Sequence, residues 1–231
     1  MKRFYSEVTI VEAEGGFAIQ LDGRPVRTPA RALLALPTQA LAEAVAEEWR
    51  AQGETVEPAS MPMTGLANAA IDHIAANKAD FAAGVARYAQ SDLLCYRADG
   101  PDTLVARQAA AWEPLLDWAR ARYDVAFAVT QGIIPVPQPD KTLARLEAAV
   151  VALDPFTLTG LSTLVTLSGS LVCGLALVEG GQDRDAIWQA AEIDEAWQVE
   201  QWGEDAEATA RSARRTADFA TAAAFCALAR A

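Results

Sequence analysis

Between Asp183 and Glu207 the chain sets nine carboxylates against a single base, Arg184, with Trp188, Trp197 and Trp202 among them. Carboxylates in such number could act as general acid and base, or could hold a cation. Adjacent acids recur at Glu47-Glu48 and Asp194-Glu195, but acid–base chemistry also needs a cleft in which other polar groups converge. No acidic spacing in 183–207 matches a calcium loop. His73 is the single histidine, with no cysteine or second histidine beside it, so neither a zinc site nor a nucleophilic triad can be assembled around it. It reads instead as a partly buried helix residue. The phosphate-cradling glycine patterns and the G-x-S-x-G elbow are missing; the nearest approach, SGSLVCG at 168–174, lies inside an uncharged run. No cofactor or metal is expected. The enzymatic alternative is a carboxylate site around Glu195 in a C-terminal cleft.

A contact surface is the other way to use this stretch. On one continuous helix, Trp188, Glu192, Glu195, Val199 and Trp202 follow a 4-3-4-3 spacing and share a stripe. Ala186, Ala190, Ile193 and Trp197 form a second stripe suited to burial. Tryptophan is enriched where proteins bind one another, and carboxylates between aromatics favour an arginine-bearing partner. Periodicity fits equally well a solvated acidic face whose tryptophans fold back onto the core.

The elements that must position these residues fall into two classes. FYSEVTIVEA and FAIQLDG alternate in polarity around Gly15-Gly16, Asp22-Gly23 marks a second turn before PVRTP, and LLAL at 33–36 can pair as a further strand. Thr38 is placed to cap a helix in which Leu41, Val45, Glu48 and Trp49 recur at helical spacing. A polar break with Gly53 and Pro58 follows, and the domain boundary is placed there. After Pro62 the period becomes helical, over 64–77, 80–90, 103–122 with Pro114 inside, 141–153, 184–202 and 204 to the end. The prolines of 127–139 predict extended chain. The expectation is an α+β protein: a small β-rich N-terminal domain over 1–58, ending in a helix, and a larger, mostly α-helical C-terminal domain over 59–231.

Residues 156–178 run 23 positions without a charge, long enough to cross a bilayer. Their Ser, Thr and Gly content and the lack of a flanking Lys/Arg cluster predict a helix buried on all sides instead of a membrane insertion. The net charge of −12 excludes nucleic acid as a partner, because nothing would neutralise its phosphates. Cys95, Cys173 and Cys226 are far apart and read as reduced core thiols. The start, MKRFYSEV, carries no signal or transit pattern, which favours the cytoplasm.

Four stretches, in order along nearly the whole chain, give it a resemblance: VAEEWRAQ at 45–52, MPMTGLANAAID at 61–72, SDLLCYRA at 91–98 with Trp112 and Pro114 downstream, and DEAWQVEQWG at 194–203. The chain resembles the ATP synthase assembly chaperones that bind the free α subunit of the catalytic sector, a family of mitochondria and related bacteria. The family's last motif runs acid, aromatic, Gln, three residues, then Trp-Gly, which Glu195, Trp197, Gln198, Trp202 and Gly203 satisfy. Tyr is common in the family where this chain has Trp197. The resemblance implies a binding protein without catalysis, nucleotide or metal, covering the β-facing surface of the free α subunit until β displaces it; a monomer is expected. Mitochondrial relatives carry a targeting extension missing here, as expected of a bacterial member. It implies Glu195 as the critical acid; with the stripe read above, Asp194, Trp188, Gln198, Trp202 and Glu192 are the further residues expected at the partner contact. Trp49, Glu48, Asp92, Trp112 and Gly203 are the remaining motif positions, and Trp49's place on an amphipathic stripe favours a folding role.

Overall fold

The computed structural model describes residues 2–132 and 134–231, so Met1 and, within the extended run, Ile133 lie outside the described residues. A small N-terminal strand region is followed by a mostly helical remainder. The chain forms two compact units, each built from separate stretches of sequence.

The first unit comprises residues 1–78, 154–160 and 221–231. Strands β1 (Val8–Ala13) and β2 (Gly16–Leu21) pair antiparallel, with Ile10 opposite Ile19. β3 (Arg24–Pro25) and β4 (Ala35–Leu36) both pair with β2, as the two turn signals and LLAL predict. Asp22 and Gly23 both take positive φ in their turn, as a two-residue hairpin loop requires. Thr38 caps α1 (Gln39–Arg50): its hydroxyl accepts from the Leu41 amide and donates to the Leu228 carbonyl at 2.6 Å. Leu41, Ala42, Val45 and Ala46 bury one face of α1 in a core with Ile19, Leu34 and Leu36. The same core takes in Met61 and Ala67, beyond the polar break at 58, and Phe225 and Ala229 from the end of the chain. Its reach past 58 follows from the apolar faces of α2 (Pro62–Ala69) and the C-terminal residues, which a four-stranded sheet and one helix leave room to cover. From α2 the chain continues through a π-turn at Ala70–Ile74 and a 3₁₀ turn at Ala75–Asn77. His73 on that turn is exposed, a correction to the partly buried position expected.

The second unit comprises 79–153 and 161–220. It includes most of α3 (Lys78–Ala86), the short parallel pair β5 (Tyr96–Arg97) and β6 (Thr130–Gln131), and the long α4 (Asp102–Tyr123) that carries Pro114. α5 spans Asp140–Val151. The uncharged run 156–178 is two helices, α6 (Pro155–Ser168) and α7 (Leu171–Glu179), in place of the single one expected. They part at Gly169, whose φ of +69 ends α6, and Ser170 then caps α7 by accepting from the Cys173 amide. Among the described residues no helix is long and apolar enough to cross a membrane. The expected single helix over 184–202 is also two, α8 (Arg184–Ala191) and α9 (Ile193–Trp202), before α10 (Ala206–Ala229). The chain leaves helical geometry at Glu192, whose carboxylate is held 2.9 Å from Arg215. Ser, Gly and Pro are absent from this break, so no local helix-breaking residue marks it in the sequence.

Candidate functional site

The break at Glu192 splits the stripe expected from a continuous helix. Trp188, on α8, belongs to the inner packing: its ring lies 4.6 Å from that of Phe219, the Arg215 guanidinium sits 5.4 Å from its centroid, and its indole N–H donates to Thr216. Glu192 is half-buried; burial pushes its carboxyl up, Arg215 pulls it back, and the charge of Glu195 adds to the upward push. The buried positions of α8 are Ile187, Ala190 and Ala191. Ala186 is exposed, which corrects the second stripe; the register of helix packing, not composition, selects the face.

On α9 the sides separate clearly. Asp194 faces α4, where its carboxylate accepts from Gln108 at 2.7 Å. Trp197 lies under the guanidinium of Arg107, 5.0 Å from the ring centroid, and the same Arg107 donates to both oxygens of Glu200 at 2.8 Å. That hydrogen bond raises the Arg107 pKa and lowers that of Glu200. Glu195, Gln198, Val199 and Trp202 occupy the other side and are all exposed, Trp202 to 78 % and Val199 to 43 %. Their spacing of i, i+3, i+4, i+7 makes one continuous stripe. Asp194 and Glu195 also sit in the first turn, where carboxylates favour the helix dipole. Gly203 closes the helix with a φ of +87, a conformation side-chain-bearing residues rarely adopt. Of the six residues expected at a partner contact, the structure brings Glu195, Gln198 and Trp202 to one outward face and engages Trp188, Glu192 and Asp194 internally. Arg107 and Gln108 escaped the sequence reading; 93 and 86 positions separate them from their partners, and no local pattern signals such a pairing.

The other motif residues tie the fold together. In the first unit, Glu48 accepts from the amides of Met63 and Thr64 and from the Thr64 hydroxyl, each at 2.7 Å, and so caps the start of α2. Trp49 packs against the core edge-on to Tyr5 at 5.8 Å, and the Tyr5 hydroxyl donates to its carbonyl. In the second unit, Asp92 is fully buried and accepts from the Leu94 and Val172 amides. Burial pushes its carboxyl above the ordinary range, outweighing hydrogen bonds from Val172, Ser170, Leu94 and Leu171. Trp112 is fully buried beneath Arg97 and donates to the Ala190 carbonyl at 2.7 Å, fixing α4 to α8.

Among the described residues no group of three or more His, Cys, Asp or Glu is placed to hold a metal ion. Two shallow depressions, of about 430 and 400 Å³, lie beside Arg122, Arg145 and Glu179 and beside Ile10, Phe17 and Arg50. Neither includes Glu195.

The sequence profile of the ATP12 chaperone protein matches residues 2–120, which contain Glu48, Trp49, Asp92 and Trp112 in their observed tying roles. This chain belongs to the ATP12 chaperone family. ATP12 proteins are ATP synthase assembly chaperones, as the four motif stretches implied. The likeness extends beyond residue 120. The crystal structure of Atp12 from Paracoccus denitrificans superimposes with a TM-score of 0.95 at 46 % identity, covering 99 % of this chain and 98 % of that one. Atu1473 protein from Agrobacterium tumefaciens gives 0.92 at 42 % identity, over 97 % and 85 %. Protein atp12, mitochondrial, from Schizosaccharomyces pombe is 24 % identical over 217 residues, 87 % of this chain and 74 % of the relative. The structural likeness thus extends over α9.

Proposed function

We propose that this chain binds the free α subunit of the ATP synthase catalytic sector, covers its β-facing surface until assembly, and does so without catalysis. The outer face of α9 is the contact. One observation carries the reading: Trp202 and Val199 stand exposed on the same stripe as Glu195 and Gln198. Anchors at i, i+3, i+4 and i+7 are how a helix is read by a partner's groove. A large exposed indole has apolar area to bury on binding, and tryptophan is the residue type that most often dominates interface energetics. Glu195 beside it favours an arginine or lysine on the client. A carboxylate enzyme at Glu195 lacks comparable support, since the side chain is exposed and neither depression reaches it.

The test is retention of free α subunit in solution by the wild type, Glu195→Lys and Trp202→Ala. Both substitutions fall on exposed positions, so melting curves should match the wild type within about 0.5 kcal/mol. Loss of the Trp202 ring should weaken binding by roughly 2 kcal/mol or more. Full protection by both variants would remove α9 from the contact.

A further inference from the structure

From Glu192 to Asp218 no residue is buried. Within this run α9 is only ten residues long. A helix so short is marginal in water unless something packs on it or ties it down. Its ties on the α4 side are few. Gln108 reaches Asp194 in the first turn, and Arg107 engages the middle and end of the helix at once. Trp197 and Glu200 are three residues apart and therefore one turn above the other. A single guanidinium lies over the first, 5.0 Å from its ring centroid, and donates through one nitrogen to both carboxylate oxygens of the second. With Asp194, Trp197 and Glu200 turned to α4, helical geometry sends Glu195, Gln198, Val199 and Trp202 outward.

We propose that Arg107 is a positioning residue: it holds α9 helical and fixes its rotation, so that the outer stripe is presented before the client arrives. This rests on the outer face of α9 being the contact. Arg107 need not touch the client. Its contribution is to spare the complex the ordering of a loose helix, which would otherwise be charged against binding. Both partners are about half exposed, so the tie is local and does not support the rest of the unit.

The experiment compares amide hydrogen exchange and α-subunit protection in the full-length wild type, Arg107→Lys and Arg107→Ala. Amides of residues 197–202 should exchange roughly three- to ten-fold faster in Arg107→Ala, and those of α4, α6 and α7 should be unchanged. Arg107→Lys, which keeps the charge but replaces the broad guanidinium with a compact ammonium, should fall between. Protection of the α subunit should decline in the same order. Unchanged exchange in α9 would overturn the proposal, and so would faster exchange with full protection. Exchange spreading equally through α4, α6 and α7 would make Arg107 a general stabiliser and overturn it too. Trp202→Ala separates the two layers: it removes an anchor of the outer stripe outside the first turn and should weaken protection with no faster exchange in α9. If Trp202→Ala and Glu195→Lys both still protect fully, the contact reading fails, and the exchange of α9 alone decides whether Arg107 holds the helix.

Discussion

Asp92→Ala removes the carboxylate that joins the turn at 93–95 to the start of α7, 80 residues later. In the folded chain the Leu94 amide lies 3.1 Å from Oδ1 and the Val172 amide 3.0 Å from Oδ2, all of it buried. Alanine leaves both N–H groups without an acceptor. A buried unsatisfied donor costs about 1–3 kcal/mol, so the pair should lose roughly 2–6 kcal/mol of stability. Asp92→Asn keeps one acceptor oxygen and turns an amide donor toward the other N–H, so it should retain only part of the loss. The pH dependence has a definite sign. Burial raises the folded-state pKa of Asp92 above its unfolded value. The wild type's advantage over Asp92→Asn should therefore be full below the unfolded pKa of about 3.9, and shrink as pH rises through the folded pKa. Urea unfolding followed by tryptophan fluorescence, from acid to neutral pH, reads both effects. An alanine variant within about 1 kcal/mol of wild type at every pH would refute the capping role assigned to this carboxylate. An advantage that widened with pH would refute the dominance of burial over its hydrogen bonds.

Other outcomes follow from the same structure. Trp49→Arg replaces a ring packed on Tyr5 and the first core with a charge, and should lose about 2–4 kcal/mol by urea titration; wild-type stability would make Trp49 a surface residue in function. Gly160→Ala sets a Cβ 2.3 Å from the Cys226 sulfur and should cost roughly 1–3 kcal/mol, most of it recovered in a double variant with Cys226→Ala if the clash is the cause. Burial pushes the Cys95, Cys173 and Cys226 thiols up to about 12, so at pH 8 a thiolate-selective reagent should label none of them in the folded protein and all three after unfolding. Labelling of any one in the native state would mean that the packing around that thiol opens.

What the sequence determined by itself is the local structure and the family. The alternation around Gly15-Gly16, the Asp22-Gly23 turn and the Thr38 cap each rest on interactions within a few residues, which sequence displays directly. The four motif stretches identified the chaperone family for a related reason, since their residues occur at fixed spacing along the chain. The helix over 103–122 was legible because Leu104, Trp112, Leu115, Leu116 and Ala119 recur at helical spacing over a long stretch. The tertiary structure decided the rest. Periodicity carried one helix through Glu192, but the chain breaks there, where Glu192 meets Arg215 across 23 positions, and Trp188 packs on Phe219. Which side of α9 faces out depended on Arg107 and Gln108, whose pairing with Glu200 and Asp194 no spacing rule could foresee. Likewise the first unit drew on Phe225 and Ala229 from the far end of the chain, because burial of apolar surface is indifferent to sequence separation.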